Sequence, residues 1–134
     1  MTEGPVTLEI MTYNIHEGRT FFTKKDISQY IWEVFLAYSP DLICLQEVRQ
    51  DHGLEKEFGS QKVRDTWEHV IYGRNAEYSS WSKGNVILSK YPIINWHNRD
   101  ISIKTAESRS LLEAEIYIPG YGHPLNLVNL HFGL

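Results

Sequence analysis

A single cysteine, Cys44, leaves the chain unable to form an internal disulfide, which excludes a small disulfide-stapled scaffold. Cys44 sits in the apolar run Leu42-Ile43-Cys44-Leu45, where it reads as a small buried thiol, a usage that suits a reducing compartment. No stretch approaches the roughly 18 consecutive apolar residues of a membrane span. The N-terminus has no basic region followed by an apolar run. A soluble cytoplasmic protein is the expectation. Basic residues are in the minority, 13 against 17 acidic ones, for a formal charge of -4. The chain as a whole therefore does not attract a phosphate backbone, and a nucleic-acid partner would need a local basic groove.

With 134 residues, 42% of them hydrophobic, the chain is the size of one domain with a real core. Residues 6–14 alternate, with Leu8, Ile10, Thr12 and Asn14 on one face and Met11 and Tyr13 on the other, which predicts a strand ending at Asn14. The period then changes. Ile27, Tyr30, Ile31, Val34, Phe35 and Tyr38 fall at helical spacing, with Thr23 and Asp26 as an N-terminal cap and Ser39-Pro40-Asp41 as the stop. The run at residues 42–45 predicts a strand buried on both faces, with Gln46 and Glu47 just past its end. Strand, helix and strand make a βαβ unit with parallel strands, and ligands bind beside the carboxyl ends of such strands.

Residues 50–64 are polar and predict a surface loop or a poorly amphipathic helix. Further strands are expected at 69–72, 85–89 and 111–118. The last of these alternates cleanly at Leu112, Ala114, Ile116 and Ile118, and it turns through Pro119-Gly120-Tyr121-Gly122 into residues 125–131 as a hairpin.

Several residues carry two readings. Glu47, following a buried strand, is either a solvated rim carboxylate or a ligand for a hard cation such as Mg²⁺, which binds one or two carboxylates and fills its shell with water and phosphate. Asn14 serves either a turn or the orientation of a carboxylate, phosphate or metal-bound water. His131, at the end of the strand 125–130, is either a satisfied structural histidine or a donor to a phosphoryl oxygen. Arg109 is either exposed or a planar clamp for phosphate. His16 is a loop residue. Lys83, Lys90, Arg99, Lys104 and Arg109 fall in one third of the chain, with Trp81, Tyr91 and Trp96 among them; scattered surface cations and packing rings are the simpler reading, a phosphate-binding rim the other.

Five segments in order, Met11-Thr12-Tyr13-Asn14-Ile15-His16, Asp41-Leu42-Ile43-Cys44-Leu45-Gln46-Glu47-Val48, Gly84-Asn85-Val86-Ile87-Leu88-Ser89-Lys90-Tyr91-Pro92-Ile93, Arg109-Ser110-Leu111-Leu112 and Val128-Asn129-Leu130-His131-Phe132-Gly133-Leu134, resemble the first half of the endonuclease/exonuclease/phosphatase family. That family includes deoxyribonuclease I, abasic-site endonucleases, sphingomyelinases and inositol-phosphate phosphatases, and the wording here is most similar to its uncharacterised bacterial members. The resemblance implies an α/β (α+β) fold, half of a four-layer α/β/β/α sandwich of the deoxyribonuclease I type, with a mixed sheet flanked by helix. It implies a divalent-metal-dependent phosphoesterase. Glu47 would be a ligand of Mg²⁺ (or Mn²⁺), Asn14 would help arrange the metal and the catalytic site, and His131 would contact the scissile phosphate. Asn85 and Arg109 would bind substrate, a nucleic acid, a phospholipid or a phosphosugar.

The family's later segments, Gly-Asp-x-Asn and Ser-Asp-His, have no counterpart before Leu134. The expectation is an N-terminal fragment that is inactive by itself, whose partner is the C-terminal half of the same domain, with Ala114 and Ile116 turned to water on an unpaired sheet face and open to self-association. The alternative is a non-catalytic binding module on the same scaffold.

Overall fold

The computed structural model describes residues 5–18, 28–50, 61–104 and 107–131. Among these described residues seven strands, β1 (Ile10–Asn14), β2 (Leu42–Gln50), β3 (His69–Glu77), β4 (Ser82–Ser89), β5 (Ile93–Asp100), β6 (Ser110–Ile116) and β7 (Leu125–Leu130), combine with helices α1 (Ser28–Tyr38) and α2 (Gln61–Thr66). The strands form two sheets, one in the order β1-β2-β4-β3 and one in the order β5-β6-β7. Only β1 and β2 run parallel, as the βαβ reading requires; the other pairings are antiparallel.

The two faces of the first sheet explain why β2 and β4 are apolar throughout. Ile43, Leu45 and Val48 of β2, with Val86 and Leu88 of β4, pack against Ile31, Trp32 and Phe35 of α1 and against Val63 and Trp67. On the opposite face Leu42, Cys44, Ile71 and Ile87 meet Leu112, Ala114, Ile116 and Ile118, so the second sheet lies on the first. Trp67 is fully buried, and its indole N–H donates to the Pro40 carbonyl at 2.9 Å, satisfying the ring's one polar group.

The structure corrects several expectations. Ala114 and Ile116 do not face water: they are 3% and 0% exposed, because the chain itself supplies a second sheet to cover them. The face turned to the outside is the alternate one, Glu113 and Glu115 on β6 registered with Val128 and Asn126 on β7. Strand β5 has no counterpart among the predicted strands. Its polar sequence lacks alternation, and its pairing with β6 holds it at the edge, where seven of its positions remain exposed. The apolar stripe of α1 is rotated from the predicted one: Trp32 and Phe35 are buried, whereas Tyr30 and Tyr38 are 67% and 70% exposed. Strand β1 begins at Ile10 rather than at residue 6. The predicted cap, Thr23 with Asp26, and Ile27 lie outside the described residues. Of the polar stretch 50–64, Gln50 closes β2 and the end of the stretch opens α2, whose Val63 is buried.

Candidate functional site

Glu47 was expected just past the end of a strand. It lies instead inside the nine-residue β2, where the ladder with β4 shifts between Leu45 and Val48, and its backbone has φ of 56°. Strict alternation would send residue 47 to the helix side with Ile43 and Leu45. The bulge inserts one residue, Val48 takes that buried place, and the carboxylate turns out with a side chain 19% exposed. A left-handed backbone is costly for a glutamate, about 1–2 kcal/mol, so the surrounding ladder must hold it.

Two imidazoles face this carboxylate. His16 Nδ1 stands 3.0 Å from Oε2, and His131 Nδ1 stands 3.8 Å from Oε1. His16 lies on a short 3-10 turn directly after β1 and itself has positive φ; the Asn14 side-chain oxygen accepts its backbone N–H at 2.9 Å. Asn14 thus serves a turn and, through that turn, places His16 on Glu47. In register Asn14 pairs with Gln46, so the ends of β1, the bulge of β2 and the end of β7 converge at one rim.

Behind the rim the space between the sheets changes from apolar to amide. Gln46 donates through Nε2 to Asn129 Oδ1 at 2.7 Å and to Thr12 Oγ1 at 3.1 Å. Asn129 donates through Nδ2 to the Leu45 and Val86 carbonyls, both at 2.9 Å. Buried amides are tolerable only when so matched. They fasten the residue before Glu47 to the residue two before His131.

Asn85 is fully buried on the same side, its Nδ2 donating to the Ser110 carbonyl at 3.1 Å, while its Oδ1 has no hydrogen-bond partner among the described residues. Arg109 immediately precedes that Ser110 in sequence, but its side chain goes to Glu107, with Nη1 2.6 Å from Oε1. Neither residue touches Glu47 directly. Sequence reasoning missed His16, Gln46 and Asn129 as members of the site. For His16 the signal was present, since Asn-x-His after a strand is a turn that returns the ring to the strand's end.

The arrangement presents one carboxylate, an amide and two imidazoles. Among the described residues no group of three or more His, Cys, Asp or Glu side chains is placed to hold a metal ion. Glu47 alone meets the minimum of one protein carboxylate that a hard divalent cation accepts when water and phosphate complete its shell. The donor set therefore fits part of such a site, with Glu47 as its carboxylate.

The family described as Endonuclease/Exonuclease/phosphatase family matches residues 11–127. The chain is 35% identical to the Uncharacterized protein YbhP of Escherichia coli K12 over 96% of its own length and 54% of that protein's, so it spans about half the length of the curated relatives it matches. Its fold is similar to that of an endonuclease/exonuclease/phosphatase from Beutenbergia cavernae, with TM-score 0.71 and 22% identity over 92% of this chain and 38% of the other. It is also similar to the 3' phosphatase NExo from Neisseria, solved bound to product DNA hairpin, with TM-score 0.59 and 16% identity over 93% of this chain and 41% of that one.

Proposed function

The chain belongs to the endonuclease/exonuclease/phosphatase family, and from that premise we propose that it is the N-terminal portion of a divalent-metal-dependent phosphoesterase in which Glu47 is the first metal carboxylate. The observation that carries the reading is the Glu47 carboxylate turned out at a strained bulge between His16 and His131. Strained backbone persists where the surrounding structure holds it, and inside a strand it clusters at functional sites.

In this reading Glu47 holds Mg²⁺ or Mn²⁺, and Asn14, through His16, fixes the carboxylate's direction. His131 donates to a phosphoryl oxygen, while Arg109 and Asn85 engage substrate. The cation, when bound, neutralises charge on the phosphate oxygens. Water activation would fall to residues of the second half of the domain. That half is the first partner we propose. Among the described residues no helix is long and apolar enough to cross a membrane, and we place the protein in the cytoplasm. The substrate is a phosphate ester: a nucleic acid, a phospholipid or a phosphosugar.

The test is hydrolysis of bis-p-nitrophenyl phosphate with and without Mg²⁺. The 134-residue chain should show weak Mg²⁺ binding, lost in Glu47→Gln, and no useful turnover. A longer form including the second half should turn over with Mg²⁺, and Glu47→Gln should lower its rate by roughly 10²-fold or more. Metal binding and turnover unchanged by Glu47→Gln would overturn the proposal.

A further inference from the structure

Beside the Glu47 rim, three donors from three separate segments converge on one carboxylate. Tyr78, between β3 and β4, donates its hydroxyl to Glu107 Oε2 at 2.5 Å; Arg109, just before β6, places Nη1 2.6 Å from Oε1; Lys83 on β4 places Nζ 3.3 Å from the same oxygen. The lysine and arginine side chains are only 14% and 21% exposed. A simple surface ion pair would need one partner and would stabilise little. Here two cations and a phenol share one carboxylate among the described residues, with Glu17 near enough to act on the same phenol. Arg109 engages the carboxylate through one nitrogen rather than the parallel fork that suits an anion best, and its Nε is buried with no acceptor among the described residues. A phosphate group, with more oxygens in a tetrahedral array and more charge than a carboxylate, matches these donors better than Glu107 does.

The cluster adjoins the candidate site. Lys83 is registered opposite Arg49, two residues beyond Glu47 on β2. Glu17, which follows the His16 that contacts Glu47, acts electrostatically on the Tyr78 phenol. We propose that Tyr78, Lys83 and Arg109 form a second anion site that receives a phosphate group of the substrate other than the scissile one, with the Glu107 carboxylate as its internal occupant. The assignment to substrate rests on the phosphoesterase reading; the anion site itself does not. The acidity of Glu107 agrees. Burial alone would raise its pKa, but hydrogen bonds from Tyr78 and Arg109 and the Lys83 charge overcome that and hold it at about 2, so the cradle selects the anionic form.

Inorganic phosphate is the probe, titrated calorimetrically without metal into the chain carrying Glu47→Gln, so that failure of the metal reading does not affect the result. Adding Glu107→Gln should tighten phosphate binding by roughly tenfold, the size of one charge-assisted contact. Tyr78→Phe, which changes no charge, should remove most of that gain. An unchanged affinity in Glu107→Gln, or a gain that survives Tyr78→Phe, would show general charge rather than a built site and overturn the proposal. If circular dichroism shows that Glu107→Gln does not fold, the unaltered chain is titrated while the Arg109 Nε–H resonance is followed. A phosphate-induced shift lost in Tyr78→Phe supports the site, and no shift refutes it. A dinucleotide and an inositol bisphosphate, tested in the same way, separate a nucleic-acid strand from a phosphosugar as the carrier. Binding of either supports the substrate assignment; binding of neither, with phosphate bound, overturns it.

Discussion

Gln46 and Asn129, 83 positions apart in sequence, share a buried amide–amide hydrogen bond of 2.7 Å that joins the two sheets directly behind the Glu47 carboxylate. Each residue is a near neighbour of a site residue, Glu47 on one strand and His131 on the other. The separation between carboxylate and imidazole is thereby set by a rigid contact in the interior rather than by loop conformation.

Replacing Asn129 with leucine keeps the branched shape, with more bulk, but removes one acceptor of the Gln46 amide, which keeps Thr12, and the donor to the carbonyls of Leu45 and Val86. Urea unfolding should show a loss of about 1–3 kcal/mol. The double variant with Gln46→Leu should lose less than the sum of the two single changes, since each already breaks their shared bond. Strict additivity would mean that the two amides do not act as a unit.

The bulge sets a test in which stability and function part company. Glycine accepts a φ of 56° without penalty, so Glu47→Gly should leave the urea midpoint unchanged or raise it, although it deletes the carboxylate. Glu47→Val, a β-branched residue forced into the same backbone, should lower stability by about 1–2 kcal/mol. Equal effects of the two changes would show that the left-handed backbone is not retained in solution.

Burial pushes the Cys44 thiol up to about 11. Near pH 8 its reaction with a disulfide reagent should be slower than that of an ordinary protein thiol by about 10²-fold or more, because thiolate is scarce and access is closed. Urea should restore the normal rate. Rapid labelling of the folded chain would contradict the packing of Cys44 between the sheets.

Glu107 gives a pH dependence whose sign follows from its lowered pKa. Its ordinary value is 4.5, and Tyr78, Arg109 and Lys83 outweigh burial to bring it to about 2 in the folded chain. A depressed carboxylate contributes stability that is fully present above its unfolded value and is lost as pH falls through the folded one. Between pH of about 5 and 2 the Glu107→Gln variant should therefore lose less stability than the unaltered chain, read as a flatter slope of urea midpoint against pH. Parallel slopes would mean that Glu107 is not held by its three donors.

Much of the architecture was legible without coordinates. Alternation marked β6, the glycine-rich turn after it marked β7, the continuous apolar run marked β2, and the change to helical spacing marked α1. β5 escaped, since an edge strand held mainly by backbone bonds to β6 leaves no apolar period in its side chains. The α1 stripe was mistaken at its ends: a period of 3.6 admits neighbouring faces, and tyrosines at the margin satisfy either one.

Residue type and strand position leave Glu47 and His131 with two readings each, and it is the family resemblance that singles them out and puts them in one site. The sequence by itself determined which strands are apolar, where the chain turns, and that a carboxylate follows the Leu42–Leu45 run. Only the tertiary structure decided that this carboxylate leaves the core through a bulge, that His16 and His131 come to it, and that buried amides hold them there. Local pattern reports the burial of each residue along its own strand, whereas convergence depends on how two sheets pack, which is settled by contacts between residues far apart in the chain.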